Sequence, residues 1–396
     1  MNILVCNVGS TSLKYQLIDM ESETVRARGK MERVGTERAA WAHRDGRGNE
    51  VRTELPLRDH GEGIERMLSA LIGPVVPSLD AVDCVAFKVV LAKDLTGVQE
   101  LTEETLRAME AMNDVAPAHN PPYIAAIRQF RAIAPTLPLI GSFETGFHRD
   151  LPPRAYLYSI PKEYARRGIR RYGYHGASHE YVSGRVRELT GRSDLKLVSC
   201  HLGGSGSICA VDGGRSIDTT LGFSLQCGVM HNNRCGDIDP FIPLYLQESE
   251  GMSLEETKTL LTKKSGLLGL SGVSNDMRDI EKAADSGDVD ARECLDTYAY
   301  YIRKQIGAYA AALGGLDAVA FTGGIGENSS RVRALSLEGL SFLGIDVDPE
   351  RNSSPHSEDA VISSNASRTT VFVIMANEEI VVARKAKEFL ESRRAG

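Results

Sequence analysis

Four polar side chains near the start of the chain have the types and spacing of a phosphate-binding turn. Asn7 ends a short apolar run, and Ser10, Ser12 and Lys14 follow it at every second position. Alternate side chains of a strand-like hairpin point to one face, so hydroxyl donors and a cation could meet at one phosphate group. Taken alone, the motif fits an ordinary surface hairpin with a Gly-Ser tip equally well.

Further Gly-rich turns follow other short apolar runs, at 203–206 and 323–328. Such turns expose backbone N–H groups, and a phosphate accepts several of them together. None of them matches the Walker pattern G-x-x-x-x-G-K-[ST], and the nearest dinucleotide fingerprint, at Gly324 and Gly326, lacks its third glycine. The sequence therefore disfavours the P-loop and Rossmann nucleotide-binding folds.

Three further candidate groups each have a purely structural alternative. His175 and His179 lie four residues apart and could hold zinc from one helix, but the glycine after His175 disfavours a helix there. Arg234 also fits an ion-pair partner of Asp237. Glu378 lies between a predicted strand and a predicted helix, where a carboxylate also stabilises the helix N-terminus.

The elements that would position these residues occur in two halves of the chain. Each half opens with a strand, a Gly/Ser turn and a second strand, at 2–7 and 13–19 in the first half and at 197–201 and 207–211 in the second. This weak repeat predicts two related α/β domains that face a cleft, with a polar hairpin tip on each wall. A cleft of this kind suits a ligand that carries several phosphates.

Apolar periodicity predicts helices between these strands. One apolar face runs through 295–313 and is stopped by a Gly pair, and a shorter one, Val182, Val186 and Leu189, precedes Gly191. Both patterns are typical of helices that face a core.

The last part of the chain repeats an alternation of strand, connection and helix. Strands are predicted at 318–322 and 371–374, and a loop at 323–328 in which Asn328 would cap the next helix. A final helix is predicted from 380 to 392.

The composition is that of a globular enzyme with more than one domain. The chain has 396 residues, a size at which single cores usually divide, and a formal net charge of −7. An acidic balance disfavours nonspecific binding to nucleic acid or to an anionic membrane. The short arginine cluster at 166–171 is interpreted as a solvated turn rather than an anion site.

The cysteines and the apolar segments bear on the compartment. Seven cysteines without a C-x-x-C pair fit neither a disulfide framework nor a zinc finger. The first residues lack the basic start and long apolar run of a signal peptide, and no apolar run is long enough to span a bilayer. We therefore expect a cytoplasmic protein.

The separate motifs belong to one known pattern. Residues 7–14, Asn-Val-Gly-Ser-Thr-Ser-Leu-Lys, resemble the opening signature of the acetate and propionate kinases. Other matching stretches follow in order: His-Asn-Pro-Pro at 119–122, Tyr-Gly-Tyr-His-Gly at 172–176 with Ser178 and His179, His-Leu-Gly at 201–203, Arg-Cys-Gly-Asp-Ile-Asp-Pro at 234–240, Lys-Ser-Gly-Leu-Leu-Gly at 264–269, Asp-Met-Arg-Asp-Ile at 276–280, Gly-Ile-Gly-Glu-Asn at 324–328 and Asn-Glu-Glu at 377–379. Because they cover nearly the whole chain, it is identified as a member of that family.

The resemblance implies an α/β protein with the two-domain, actin-like (ribonuclease H-like) ATPase fold and a duplicated βββαβαβα core. Residues 1–148, joined by a C-terminal helix at 378–396, would form the N-terminal domain, and 149–377 the nucleotide-binding domain. The resemblance also implies a homodimer that transfers the γ-phosphoryl of ATP to the carboxylate of a small organic acid. The products would be an acyl phosphate and ADP, and Mg²⁺ or Mn²⁺ would be required.

Roles for single residues follow from the same resemblance. Asn7 and Glu378 would hold the metal through water, and His175 and Arg234 would stabilise the transferring group. The phosphate path and nucleotide site would be lined by Ser10, Ser12, Lys14, His201, Gly203, Gly204, Ser205, Asp276, Met277, Arg278, Gly324, Ile325 and Asn328. The acceptor pocket would comprise Lys88, Val90, Ala118, Tyr174 and Leu225.

Several positions depart from the family pattern. The usual substrate-binding arginine is Lys88, which keeps the charge but loses the planar fork that binds a carboxylate through two parallel bonds. The usual aspartate is Glu144, whose side chain is one methylene longer, and the usual asparagine of the 203–206 turn is Gly204. Lys88 and Glu144 nevertheless stay in the catalytic set that the resemblance implies.

The expected acceptor pocket also differs. Ala118 stands where leucine is usual, Tyr174 where phenylalanine is usual, and Leu225 where proline is usual. Alanine opens space, while Tyr174, His231 and Asn232 are expected to add hydrogen-bonding groups. These changes favour an acceptor larger or more polar than acetate.

Three hypotheses for function remain open on sequence alone. The first is a kinase of a small, acetate-like carboxylate, and the second a kinase of the same fold that acts on a larger or more polar acceptor. The third is a nucleotide-binding protein with lost or weak turnover, which the substitutions at Lys88, Glu144 and Gly204 motivate. The retained Lys14 and Arg234 argue against it.

Overall fold

The computed structural model describes residues 1–395 and divides them into two compact units. The first consists of Met1–Arg149 and the segment that begins at Asn377, and the second of Asp150–Ala376. Each unit is built from a mixed sheet and helices, so the predicted α/β class is confirmed.

The sheet of the first unit has the strand order β5-β4-β3-β2-β1-β6-β8-β7. Its strands are β1 (Asn2–Gly9), β2 (Ser12–Asp19), β3 (Thr24–Glu32), β4 (Thr36–Asp45), β5 (Glu50–Leu57), β6 (Cys84–Val89), β7 (Val98–Glu100) and β8 (Leu139–Phe143). The helices of this part are α1 (His60–Leu71), α2 (Glu103–Glu110) and α3 (Asn120–Ile133), with short 3-10 turns at Leu79–Ala81 and Gly146–His148.

The predicted N-terminal hairpin is confirmed. Strands β1 and β2 pair antiparallel as far as Gly9 opposite Ser12, so Ser10 and Thr11 form a two-residue tip. On its other side β1 pairs parallel with β6, which makes it a central strand that is almost entirely buried. Strand β2 alternates buried and solvent-facing residues, so one of its faces belongs to the core and the other to solvent.

The sheet of the second unit has the strand order β11-β10-β9-β12-β14-β13. Its strands are β9 (Lys196–Leu202), β10 (Gly206–Asp212), β11 (Arg215–Thr219), β12 (Ala318–Thr322), β13 (Ala360–Val361) and β14 (Thr370–Val373). The helices are α4 (Pro153–Tyr156), α5 (Lys162–Arg166), α6 (Gly176–Thr190), α7 (Phe241–Glu248), α8 (Leu254–Lys263), α9 (Gly266–Ser271), α10 (Met277–Asp285), α11 (Val289–Leu313), α12 (Gly323–Asn328), α13 (Ser330–Leu337) and α14 (Pro349–Ser353), with a 3-10 turn at Ser341–Leu343. The chain ends with α15 (Glu378–Ala395), which packs against β1, β6 and β8 of the first unit.

Helix α11 confirms the long periodic segment and shows why it is a helix. The Asp288 side chain caps its N-terminus by accepting a hydrogen bond from the Ala291 N–H, and Gly314 ends it in the left-handed conformation, with φ +66°. Its apolar residues, Leu295, Ile302 and Ile306 among them, are buried in the core of the second unit.

Four local predictions were wrong. Residues 323–328 form α12 rather than a loop, and the cap of the next helix is Ser329, whose side chain accepts a hydrogen bond from the Val332 N–H, rather than Asn328. Helix α6 begins at Gly176, so the glycine after His175 does not prevent a helix there. Leu189, expected on the core face of this helix, is exposed.

All seven cysteines are free thiols. None of the helices that the structure describes combines the length and the apolar character needed to cross a bilayer.

Candidate functional site

The predicted phosphate hairpin lies in the first unit and brings two of its members onto one face. Asn7 and Lys14 are directly opposite each other on β1 and β2, and Ser12 stands opposite Gly9. A Cβ at Gly9 would lie 2.5 Å from Ser12 Oγ, so this close approach favours glycine. The Tyr123 hydroxyl donates a hydrogen bond to Asn7 Oδ1 at 2.8 Å and fixes that amide.

Lys88 lies in a buried ion pair of the same unit. Its Nζ donates to Glu378 Oε2 at 2.5 Å and lies 4.0 Å from Glu144 Oε1. Burial by itself lowers the pKa of this ammonium, but the carboxylates of Glu144 and Glu378 outweigh it and raise the pKa of Lys88 well above its usual value. Lys88 therefore stays charged and is committed to two carboxylates of its own chain.

The elements explain why these three charges meet. Lys88 lies near the end of β6, opposite Ser142 of the neighbouring β8, and Glu144 directly follows β8. Glu378 is the first residue of α15, which packs against both strands. The structure thus brings together Lys88, Glu144 and Glu378, which lie far apart in the sequence.

Two further residues of the first unit were expected in the acceptor pocket, and one of them is buried and the other exposed. Val90 follows β6 and is 5% exposed, whereas Ala118 lies on the surface just before α3. Asn120, the first residue of α3, donates hydrogen bonds to the carbonyls of Leu91 and Met109, both at 2.8 Å. These bonds hold the segment after β6 against α3.

His175 lies in the second unit, in a chain of hydrogen bonds that the sequence analysis missed. Its Nδ1 is 2.8 Å from Ser207 Oγ, and Ser207 Oγ is also 2.8 Å from His179 Nε2. His179 Nδ1 is 2.9 Å from Ser199 Oγ. Because His179 and both serines are fully buried, this chain fixes the ring of His175 from within the fold.

A second histidine lies against His175. The imidazoles of His175 and His201 are stacked with ring centroids 4.3 Å apart and an angle of 28° between their planes. His201 Nδ1 is 2.7 Å from Ser178 Oγ. His175 itself has a left-handed backbone, with φ +56°, at the N-terminus of α6, so the backbone is strained at this residue.

The histidines do not form a zinc site. Among residues 1–395 the structure contains no group of three or more His, Cys, Asp or Glu side chains that could hold a metal ion. The alternative of a zinc site at His175 and His179 is therefore wrong, and the two histidines are linked through Ser207 instead.

The predicted phosphate turn, Gly203, Gly204 and Ser205, connects β9 and β10, and His231 holds it. His231 Nδ1 accepts a hydrogen bond from the Gly206 N–H at 3.0 Å, so this nitrogen carries no proton, and Nε2 donates to the Cys227 carbonyl at 3.2 Å. Burial lowers the pKa of His231 to about 3, and the nearby charge of Arg234 adds to this effect. His231 is therefore a neutral structural histidine.

Asn232 lies against the position where the turn has lost its usual asparagine. Its Nδ2 would be 3.4 Å from a Cβ at Gly204, and its backbone N–H donates to the Gly204 carbonyl at 3.1 Å. Asn232 Oδ1 is buried and has no hydrogen-bond partner among the described residues. The amide side chain beside this turn is therefore that of Asn232, which comes from the segment before Arg234.

Arg234 is a partly buried cation without a counter-charge in its own unit. It donates to the Leu225 carbonyl at 2.5 Å and forms no ion pair among the residues described. Burial lowers the pKa of its guanidinium to about 10. The alternative of an ion pair with Asp237 is wrong, because that carboxylate accepts from the Gly228 N–H at 2.8 Å.

The turn at Gly324 and Ile325 is held by two side chains that the sequence analysis did not single out. Glu327 Oε1 accepts from the Gly323 N–H at 2.9 Å and from the Ala376 N–H at 3.0 Å. Arg333, 1% exposed, donates to the carbonyls of Gly326 and Glu327 at 2.9 and 2.8 Å. These contacts of Arg333 join parts of the fold, so the sequence alone could not have identified Arg333 as a residue that holds this turn.

The other predicted nucleotide contacts lie at the start of α10 and in α12. Asp276 caps α10, and its carboxylate pairs with Arg278 at 2.5 Å, which lowers the pKa of Asp276 to about 2. Met277 is buried in the core of the second unit, so only its backbone can face a ligand. Asn328 Nδ2 donates to the Gly324 carbonyl at 2.9 Å.

Two substitutions expected to add hydrogen bonds for an acceptor do not supply a donor. The Tyr174 hydroxyl is buried and donates to the Phe223 carbonyl at 2.8 Å. The N–H of His231 is used by Cys227. Leu225, expected in the same pocket, is buried and offers its carbonyl to Arg234.

Comparisons with known proteins identify the family of the chain. A model of the acetokinase family matches residues 2–384. Acetate kinase of Clostridium botulinum (strain Hall) is 44% identical over 395 residues, which cover 98% of this chain and 99% of the relative. Acetate kinase of Halothermothrix orenii is 41% identical over 399 residues, 99% of this chain and 100% of the relative.

Solved structures of the same kind superpose on nearly the full length. The propionate kinase of Francisella tularensis matches with a TM-score of 0.90 and 32% identity, covering 97% of this chain and 98% of the other. The acetate kinase of Porphyromonas gingivalis matches with a TM-score of 0.89 and 34% identity, covering 98% and 99%. These matches confirm the expected actin-like fold, and the chain belongs to the acetokinase family, as a phosphotransferase with a carboxyl group as acceptor.

Proposed function

We propose that this chain transfers the γ-phosphoryl group of ATP to the carboxylate of a small organic acid, giving an acyl phosphate and ADP. A carboxylate oxygen of the acid forms a bond to phosphorus while the bond between that phosphorus and the ADP oxygen breaks. The observation that carries the proposal is Arg234, a desolvated guanidinium without a carboxylate partner among the described residues.

The environment of Arg234 suits a transferring phosphoryl group. A buried charge without a partner is costly, and an anion that binds there would recover that cost. Phosphoryl transfer depends on positioning and on charge neutralisation rather than on covalent chemistry by the protein. Arg234 would supply the charge, and His175 would donate a hydrogen bond to an equatorial phosphoryl oxygen.

The nucleotide would be held by the Gly-rich and Ser-rich turns. Ser10, Ser12 and Lys14 of the N-terminal hairpin are proposed contacts of a phosphate, as are His201 and the 203–205 turn. The base and ribose would lie on Asp276, Arg278 and the backbone of Met277, and Gly324, Ile325 and Asn328 would bind further phosphate oxygens.

The residues of the first unit could hold a divalent ion only together with waters and substrate phosphates. Asn7 offers an amide oxygen, and Glu378 and Glu144 offer carboxylates, which are the ligands that Mg²⁺ or Mn²⁺ prefers. Mg²⁺ typically uses one or two carboxylates together with waters and substrate phosphates, so a dedicated protein cage is not needed. Held by Asn7, Glu144 and Glu378, such an ion would supply positive charge that neutralises the phosphates of the nucleotide.

The acceptor is open between an acetate-like acid and a larger one, and the relatives are acetate and propionate kinases. Lys88 is bound to Glu378 and Glu144, so it is not an open grip for an acceptor carboxylate. Ala118 is exposed just before α3, where the sequence pattern leads us to expect the larger leucine. These two observations favour a small acid larger or more polar than acetate as a second candidate acceptor, while acetate stays the first.

An acceptor screen tests the proposal. The purified chain would be supplied with ATP, Mg²⁺ and each of acetate, propionate, butyrate, glycolate and lactate, with ADP release and hydroxylamine-trapped acyl phosphate as readouts. We expect acyl phosphate with at least one acid and a loss of about 10²- to 10³-fold in kcat for Arg234→Ala. Arg215→Ala, which removes an exposed arginine of the same unit, should leave kcat unchanged.

Two results would contradict the proposal. Failure to form ADP and acyl phosphate with any of these acids would favour a binding protein without turnover, particularly if calorimetry still detected ATP. An Arg234→Ala variant that is folded and fully active would show that this guanidinium does not neutralise the transferring group.

We further propose that the chain works as a homodimer in a reducing compartment such as the cytoplasm. Helix α7 buries none of its residues, and Phe241, Ile242, Leu244 and Tyr245 are exposed on it. An apolar surface of this kind is typical of a subunit interface. The seven free thiols support a reducing compartment.

A further inference from the structure

Five cations lie together on the solvent face of the first unit's sheet. They are Lys14 on β2, Arg28 and Lys30 on β3, Arg44 on β4 and Arg52 on β5, here called the basic strip. All are exposed, and strand pairing places all of them on one face of the sheet.

The strand register places like charges directly opposite each other. Lys14 faces Lys30 across β2 and β3, and Arg28 faces Arg44 across β3 and β4. Such pairs destabilise an antiparallel sheet, whereas opposite charges in the same positions stabilise it. Two adjacent like-charge pairs are therefore unfavourable for the sheet alone, and a bound counter-charge would remove this cost.

Carboxylates of the chain neutralise only part of the strip. Lys30 and Arg52 each pair with a glutamate two residues away on their own strand, at 2.8 and 2.5 Å. Lys14, Arg28 and Arg44 form no ion pair within residues 1–395. This local excess of positive charge occurs in a chain whose net charge is −7.

A cavity of about 280 Å³ lies over the strip and is lined by all five cations. Asn7 of the N-terminal hairpin also lines the cavity. The carboxylates of Glu50 and Glu379 line it as well, so the five cations leave an excess of positive charge. The volume is close to the lower end of small-molecule sites, roughly 300 Å³. It is therefore suited to a small ligand rather than to a nucleic-acid duplex.

We propose that the basic strip binds a small polyanion that carries at least two linked phosphate groups. The backbones of facing strands lie about 5 Å apart, and the Cα atoms of residues two apart on β3 lie about 7 Å apart. A phosphate group carries up to about two negative charges and several acceptor oxygens, whereas a carboxylate carries one charge. The arginine forks of Arg28 and Arg44 suit bidentate contacts with phosphate oxygens.

Calorimetry on the full chain tests this site in the absence of nucleotide and acceptor acid. Tripolyphosphate is titrated at low ionic strength, and we expect binding that weakens as salt is added. The double variant Arg28→Ala/Arg44→Ala should bind at least about 10-fold more weakly. Arg107→Ala, which removes an exposed arginine from α2 of the same unit, should bind like the unchanged protein.

Several outcomes would overturn the proposal. One is a wild-type chain that does not bind tripolyphosphate, and another is a folded double variant that binds it equally well. Tighter binding of citrate would assign the strip to carboxylates instead, and tighter binding of a short RNA would assign it to nucleic acid. Because the assay involves no turnover, failure here leaves the proposed kinase reaction untouched, and an inactive chain can still bind at the strip.

Discussion

The ammonium of Lys88 joins three segments that are distant in sequence: β6, the residue after β8 and the start of α15. It does so through Glu144 and Glu378, one of them 2.5 Å away. Arginine would present a planar fork at this position, whereas lysine presents a compact charge that two carboxylates can share. In this structure Lys88 therefore links Glu144 and Glu378, while its expected role toward the acceptor stays a prediction.

Replacing Lys88 tests how much this link contributes to stability. Lys88→Met removes the cation that the buried Glu144 and the partly buried Glu378 share, and we expect the free energy of unfolding to fall by about 1–3 kcal/mol. Urea unfolding followed by circular dichroism measures the change. Arg38→Met, which removes an exposed partner of Glu54, should cost less than about 1 kcal/mol. Equal effects of the two variants would contradict the buried link.

Ser207 is the residue through which the fold orients His175. Ser207→Ala should lower kcat by up to about 10²-fold, because a small displacement of a catalytic group has effects of this size. KM should change little, and the pH dependence of kcat should shift, since the hydrogen bond at His175 Nδ1 is lost. Steady-state kinetics over a range of pH measure both effects.

The matched control is another buried serine of the same unit. Ser336 has a hydroxyl without a hydrogen-bond partner among the described residues, so Ser336→Ala should leave kcat and its pH profile unchanged. If Ser207→Ala behaved in the same way, Ser207 would have no positioning role.

Among the elements, the β9–β10 turn depends on a residue from a later segment. His231 supplies an acceptor to Gly206 and a donor to Cys227, a pattern that only the neutral imidazole can satisfy. Asn232, its neighbour, lies beside Gly204. His231 and Asn232, from the segment before Arg234, thus both contact this turn.

The low pKa of His231 predicts how stability depends on pH. Its folded pKa, about 3, lies below the ordinary value of 6.5, so the unfolded state binds the extra proton between these values and stability falls as pH falls. Between pH 6.5 and the folded pKa of about 3, this residue should lower the free energy of unfolding by about 1.4 kcal/mol for each unit by which the pH falls. His231→Gln keeps a donor and an acceptor but does not titrate, so its unfolding free energy should fall less steeply as pH is lowered below the ordinary histidine pKa. Parallel slopes for the two proteins would contradict the assignment.

In the whole molecule, the proposed homodimer gives a role to the apolar surface of α7. Phe241 is 73% exposed and Tyr245 58%. Phe241→Asp should weaken the dimer, because a charge in an apolar interface core is costly to desolvate. Light scattering coupled to size exclusion would detect a shift toward monomer.

A second exposed phenylalanine of the same unit provides the control. Phe342 is 71% exposed and lies in the 3-10 turn at Ser341–Leu343, so Phe342→Asp should leave the mass unchanged. A monomeric wild-type chain, or a dimer that the substitutions at Phe241 and Phe342 weaken equally, would remove the assignment to α7.

Local patterns predicted the elements well where the signal lies within a few residues. The hairpin of β1 and β2 and the end of the long helix α11 were placed within a residue or two of their observed bounds. The short helix α12 was missed because its Gly-rich sequence has the composition of a loop, and its turn is held by Glu327 and Arg333 through contacts that no local pattern contains. The roles of the site residues and the domain boundaries at 148 and 377 stay predictions.

The sequence by itself determined the family, the α/β class and the order of the Gly-rich turns, because these depend on short motifs and on their periodicity. The tertiary structure alone decided how the charges are paired. It joined Lys88 to a carboxylate 290 residues away, left Arg234 without a carboxylate, and set like charges of β2, β3 and β4 opposite each other. The physical reason is that ion pairing depends on distances of a few ångströms, which strand register and helix packing set between residues that are remote in the chain.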